Sequence, residues 1–244
     1  MRMIFGHLVG LLLLAAASQI ICADQDVIGQ AERALWGDVE FQISRLRSEL
    51  GFDQLSPAVR GALHEVPRQR FVPDGQRRHA YENRPLPIGH GQTISQPLIV
   101  AIMTELLQIG PGARVFELGT GSGYQAAVLA ALGAEVYSVE IIPELAERAH
   151  VTLDALNYKV ATRIGDGYHG WKEAAPFDAI IVTAAVDHIP PPLIQQLKPG
   201  GRMLVPIGSR YLTQKLVLVT RDEHGAVRTQ EMLPVTFVPL TGQH

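Results

Sequence analysis

Apolar and polar positions along the 244-residue chain change period several times, and each change marks an element. From Val27 to Leu50, apolar residues recur at Ala31, Leu35, Val39 and Ile43, then at Leu46, and Gly51 follows. This predicts an amphipathic helix with a glycine stop. Ser56-Pro57 reads as an N-cap with proline at the first helical position, opening a short helix to His64. Both helices are expected to pack across a sheet. Val66-Pro-Arg-Gln-Arg-Phe-Val-Pro73 carries too much proline for regular structure, and Ala80 to Gln96 is expected to be a long irregular loop. A helix from Pro97 to Leu107 comes next.

Strand-like and helical runs then alternate. Strands are predicted at Arg114 to Leu118, Glu135 to Val139, Val160 to Ile164 and Asp178 to Val182, the last apolar enough to be buried on both faces. Helices are predicted at Gln125 to Leu132, Pro143 to Leu156 and Pro190 to Leu197. Lys198-Pro-Gly-Gly201 reads as a stop before a strand from Arg202 to Pro206. Leu216 to Thr220 and Met232 to Leu240 are expected to be late strands, an antiparallel pair closing one edge. The order implies an α/β fold with a mostly parallel sheet.

Residues 1–23 stand apart: one early charge, Arg2, precedes an uncharged apolar run, and the first acid is Asp24. That is a signal-peptide pattern, with an uncleaved membrane tether as the competing reading. Three parts follow: the apolar segment 1–23, helices and a loop in 24–110, and an α/β core in 111–244. A hydrophobic content of 47% with 18% charged residues describes a chain with a substantial core, and a net charge of −3 gives no basic surface for nucleic acid. The nine histidines are scattered and the one cysteine, Cys22, lies in the leader, so neither a metal site nor a disulfide is indicated.

Candidate chemistry centres on Val115-Phe-Glu-Leu-Gly-Thr-Gly-Ser-Gly-Tyr124, a strand, a glycine turn and a helix start. Gly119, Gly121 and Gly123 would let the backbone turn sharply and let a ligand approach the first helical amides. Tyr124 occupies the place of the third glycine of a dinucleotide fingerprint, and the Glu117 carboxylate would repel a pyrophosphate. S-adenosylmethionine carries an ammonium and a sulfonium instead, which a carboxylate favours. Glu140 ends the next strand about 20 residues beyond the first glycine, the place of a ribose-binding acid. A turn with no ligand is the bland alternative. In the preceding loop, Thr93, Ser95 and Gln96 are small neutral donors suited to a carboxylate, and Thr183-Ala-Ala185 leaves room for substrate at the end of the fourth strand. His169 and His188 are loop histidines with no evident partner and are read as solvated rather than as bases.

Gly89-His-Gly-Gln-Thr-Ile-Ser-Gln-Pro97 followed by the glycine turn resembles the protein-L-isoaspartate O-methyltransferase family. The likeness continues through Gly165-Asp-Gly167, Pro176 to Ala185, Leu197 to Gly201 and Phe237-Val-Pro-Leu240. It implies a Rossmann-like methyltransferase fold, a mostly parallel seven-stranded sheet with helices on both faces and an N-terminal helical extension. By the same resemblance, the cofactor is S-adenosylmethionine and the reaction is carboxyl methylation of L-isoaspartyl residues, with activity on D-aspartyl residues left open. Ser95 would orient the isoaspartyl group with Thr93 and Thr183 beside it, and Asp166 would face the adenosine. Thr236 stands where many relatives carry a basic residue. Damaged proteins and peptides are the implied partners, without metal or nucleic acid, and a cytoplasmic monomer is expected. The leader argues for export. A small-molecule methyltransferase and a non-catalytic S-adenosylmethionine binder are the rival readings.

Overall fold

A computed structural model describes residues 27–209 and 213–242, so the leader, Cys22 and the expectations for them lie outside the described residues. Helix α1 (27–45) and the short α2 (Arg47–Leu50) form the predicted N-terminal helix, interrupted by a turn at Leu46 and stopped at Gly51 with φ 78°. Leu35, Trp36, Val39 and Ile43 supply its buried stripe, whereas Ala31 is exposed. Helix α3 (Pro57–Glu65) starts as its sequence dictates: the Ser56 hydroxyl accepts from Val59 N, and Pro57 occupies the first turn.

The proline-rich stretch is more regular than predicted. Two 3₁₀ helices, Arg68–Phe71 and Asp74–His79, follow Pro67 and Pro73, which sit before each turn rather than inside it. The loop also contains a hairpin, β1 (Leu86–Gly89) and β2 (Gln92–Ile94). Its turn passes through three successive positive φ values, Gly89 94°, His90 53° and Gly91 70°. Glycine tolerates this freely, and His90 tolerates it as a minority conformer.

After α4 (Pro97–Leu107) come β3 (Arg114–Leu118), α5 (Tyr124–Ala131), β4 (Glu135–Glu140), α6 (Pro143–Ala155), β5 (Val160–Ile164) and β6 (Phe177–Val182). The chain then forms α7 (Pro191–Gln196), β7 (Leu197–Ile207), β8 (Gln214–Arg221) and β9 (Val227–Val235). The seven-stranded sheet has the order β5-β4-β3-β6-β7-β8-β9, parallel through β7 and antiparallel beyond it. Two boundaries differ from expectation. Lys198-Pro-Gly-Gly201 does not precede the strand but lies within it, where the pairing of β6 and β7 shifts register between Phe177 and Ala179. The last strand begins earlier, at Val227, and ends at Val235; Phe237 to Leu240 leaves the ladder.

Strand β6 shows why this sheet sits in the middle of the molecule. Ala179 and Ile181 point into a core shared with α3, α4, α5 and α6, while Ile180 and Val182 point into a second core with α7 and Trp171. With both faces covered, a continuous apolar run is what the strand requires. The reversal of direction after β7 has a further effect. The chain returns to the carboxyl ends of the parallel strands, where Ala185 N donates to Val238 O at 2.8 Å and Leu240 N to Ala185 O at 2.7 Å.

Candidate active site

The carboxyl ends of β3, β4 and β6 converge on one cavity, lined by Thr93, Ser95, Glu117, the backbone of Gly119 to Ser122, Glu140 and Thr183. This is the crevice where open parallel sheets place ligands. Val238 to Thr241 form its outer wall. An outer groove adjoins it, lined by Gln96, Ile99, Gln214 and Thr236 among others, and shares Thr93, Ser95, Thr183, Val238 and Pro239 with the inner cavity.

Glu140 is almost fully buried and each carboxylate oxygen has a backbone donor: Gly121 N at 2.8 Å to Oε2 and Ile142 N at 3.0 Å to Oε1. The acid is thus fixed against the glycine turn. Glu117, 0% exposed, accepts at Oε2 from the Ser138 hydroxyl, which is itself paired with Thr120 Oγ1. Its Oε1 has no partner among the described residues. Burial, helped by the charge of Glu140 and opposed by the Ser138 hydrogen bond, pushes Glu117 up to about 8. Burial thus favours the neutral carboxyl, and a cation beside it would favour the ionised form.

The three turn glycines do different jobs. Gly119 has φ 96°, and a Cβ there would lie 2.4 Å from Thr183 Oγ1. Gly121 presents its amide to Glu140. Gly123, with φ 85°, falls outside the cavity lining; a Cβ on it would press on Leu153 and Ala149 of α6 at 3.3 and 3.4 Å. Thr183 Oγ1 lies 2.9 Å from Leu118 O and 2.6 Å from Gly119 O, so its proton is used to tie β6 to the turn. Asp166 is also outside the lining: it caps the 3₁₀ helix Gly167–His169, accepting from Tyr168 N at 3.0 Å, and its neighbour Gly167 is what reaches the cavity. His188 Nε2 lies 3.0 Å from Tyr168 Oη, and neither His188 nor His169 lines either space.

Sequence reasoning missed several contributors. Ser138 alternates with core residues and gave no signal, although it faces Glu117 directly in the β3–β4 register. Ile141 and Ile142, which line the cavity after Glu140, read simply as apolar. Arg68 was hidden in the proline-rich stretch, and it is fully buried.

The sequence model of the family Protein-L-isoaspartate(D-aspartate) O-methyltransferase matches residues 43–244. The chain belongs to this family. It is 55% identical over 240 residues to Protein-L-isoaspartate O-methyltransferase 2 of Syntrophobacter fumaroxidans, covering 98% of this chain and 97% of that one. Protein-L-isoaspartate O-methyltransferase 1 of Cupriavidus necator is 52% identical over 244 residues, covering 100% and 94%. Among solved structures, a protein-L-isoaspartate O-methyltransferase superposes with TM-score 0.72 at 30% identity, covering 83% of this chain and 66% of that one. The isoaspartate methyltransferase fold is thus the Rossmann-like one expected.

The cavity fits the family's cofactor, S-adenosylmethionine. Among the described residues, the acids lining it are Glu117 and Glu140, and the unpartnered buried oxygen of Glu117 calls for a donor such as an ammonium. Among the described residues there is no group of acids, histidines or cysteines that could hold a metal ion, and no helix long and apolar enough to cross a membrane.

Proposed function

We propose that the protein transfers the methyl group of S-adenosylmethionine to the free carboxylate of L-isoaspartyl residues in damaged proteins, the initiating step of their repair. One observation carries the reading beyond family membership: Ser95 stands in the wall between an acid-lined inner cavity and an open outer groove. An acceptor lying in the groove meets the inner cavity there.

S-adenosylmethionine supplies an electrophilic methyl group on a sulfonium. Glu117 and Glu140 hold the cationic amino-acid end and the ribose, Gly119 and Gly121 let the ligand approach the backbone, and Gly123 keeps the turn packed on α6. Asp166 serves the adenosine end through the turn it caps. Ser95 donates to the isoaspartyl carboxylate, and Thr93 and Thr183 flank it. A carboxylate is ionised at neutral pH, so the chain need not supply a base. What remains is alignment and exclusion of water, worth roughly 7 to 11 kcal/mol in well-oriented systems.

In this reading residues 24–110 contribute the acceptor loop and residues 111–244 the cofactor half. The cytosolic supply of the cofactor favours a cytoplasmic reaction, which cell fractionation would check against export of the leader-bearing chain; the expected monomer would be checked by sedimentation.

The deciding experiment is methyl transfer from labelled S-adenosylmethionine by the full chain to peptides that differ only in isoaspartate or aspartate. Preference for isoaspartate is expected. Transfer to free small acids but to neither peptide would replace this reading with a small-molecule enzyme, and binding without transfer would leave only a cofactor-binding protein.

A further inference from the structure

Arg68 is an unusual residue to find at 0% exposure, because it makes no ion pair among the described residues. Burying a cation without a counter-charge is costly. Backbone oxygens and an aromatic face offset that cost. Nε donates to Ala80 O at 2.9 Å, Nη2 donates to Ser95 O at 2.7 Å, and the guanidinium carbon sits 5.0 Å from the Tyr124 ring centroid. Nη1 makes no hydrogen bond among the described residues. Burial lowers the group to about 10, which leaves it charged at neutral pH.

These contacts fall on functionally distinct pieces. Ser95 belongs to the acceptor loop between β2 and α4, and Tyr124 is the first residue of α5, directly after the glycine turn. The loop is pinned on its other side as well: Gln96 Nε2 donates to Asn83 O at 3.0 Å, and Leu98 N donates to Asn83 Oδ1 at 3.1 Å. The Ser95 carbonyl is the loop's attachment to Arg68.

We infer that Arg68 is a positioning residue for methyl transfer, fixing the Ser95 backbone relative to the glycine turn so that the Ser95 hydroxyl meets the acceptor at the wall between the two cavities. The inference rests on the proposed function of Ser95. It assigns Arg68 no contact with either substrate; its effect passes through Ser95.

A two-residue cycle tests this in the full chain. Arg68→Lys keeps the charge but cannot bridge both carbonyls with a planar fork. It is expected to lower kcat/KM for an isoaspartyl peptide about tenfold, with S-adenosylhomocysteine affinity by calorimetry held within about twofold. In a Ser95→Ala background the same substitution should then cost less than about twofold, because the hydroxyl it positions is gone. Equal fractional losses in both backgrounds would make Arg68 a purely structural residue and overturn the inference, as would wild-type kcat/KM in Arg68→Lys. Thermal melting shows that the compared variants are folded. Failure of the functional reading looks different: the unsubstituted chain would not discriminate isoaspartate from aspartate.

Discussion

Glu117 faces Ser138 across the β3–β4 ladder and accepts that residue's hydroxyl at Oε2, leaving Oε1 without a partner among the described residues. Its pKa, raised chiefly by burial from 4.5 to about 8, links folding to pH. Between those values the folded chain without cofactor holds one proton more than the unfolded chain. Stability from this group is therefore full at low pH, falls as pH rises through the window, and levels off above about 8. The slope is at most about 1.4 kcal/mol per pH unit. Urea midpoints for the unsubstituted chain and Glu117→Gln, compared across the window, should show a flatter profile in the variant. Identical profiles would mean that Glu117 is ionised in the fold.

Glu140 binds two backbone amides, and the proposed reading adds the cofactor's ribose. Glu140→Ala removes an acceptor from Gly121 and Ile142 together. S-adenosylmethionine affinity should weaken about ten- to a hundredfold by calorimetry, the range for hydrogen bonds to a charged group. Unchanged affinity would take Glu140 out of the cofactor site.

Ser95→Ala should act on the other substrate. Methyl transfer to an isoaspartyl peptide is expected to fall about ten- to a hundredfold while S-adenosylmethionine affinity is nearly retained. Parallel loss of both quantities would place Ser95 in support of the cofactor rather than the acceptor.

Gly119→Ala brings a Cβ to 2.4 Å from Thr183 Oγ1 at a φ of 96°. Thr183 cannot swing away without losing its contacts to Leu118 O and Gly119 O. The expected cost is about 1 to 3 kcal/mol in chemical denaturation. Thr183→Ala in the same chain should recover part of it, because the clash goes and the backbone strain stays. A neutral Gly119→Ala would mean that the turn relaxes.

The central strands and the helices between them could be read from the sequence because their burial forces a simple pattern. A strand covered on both faces, such as β6 from Ala179 to Val182, is a continuous apolar run, and a helix on one face must repeat. The hairpin Leu86–Gly89 and Gln92–Ile94 escaped because its turn depends on His90 adopting a positive φ, which no periodicity announces. Arg68 escaped for a different reason: arginine is ordinarily exposed, and only the three-dimensional return of Ala80 and Ser95 supplies the carbonyls that let it be buried. Glu117 and Glu140 were legible as acids at strand ends. That Glu117 meets the Ser138 hydroxyl and Glu140 the Gly121 amide depended on pairings between residues that the sequence separates.

Thr93, Ser95, Thr183, Val238 and Pro239 belong to both spaces, so the outer groove and the inner cavity share part of their walls. A polypeptide lying in the groove would touch this shared wall. If a bound polypeptide hinders exchange of the small molecule, product-inhibition kinetics should show the small molecule binding first and its spent form leaving last. A slow-dissociating protein product would stall turnover even with fresh cofactor in excess.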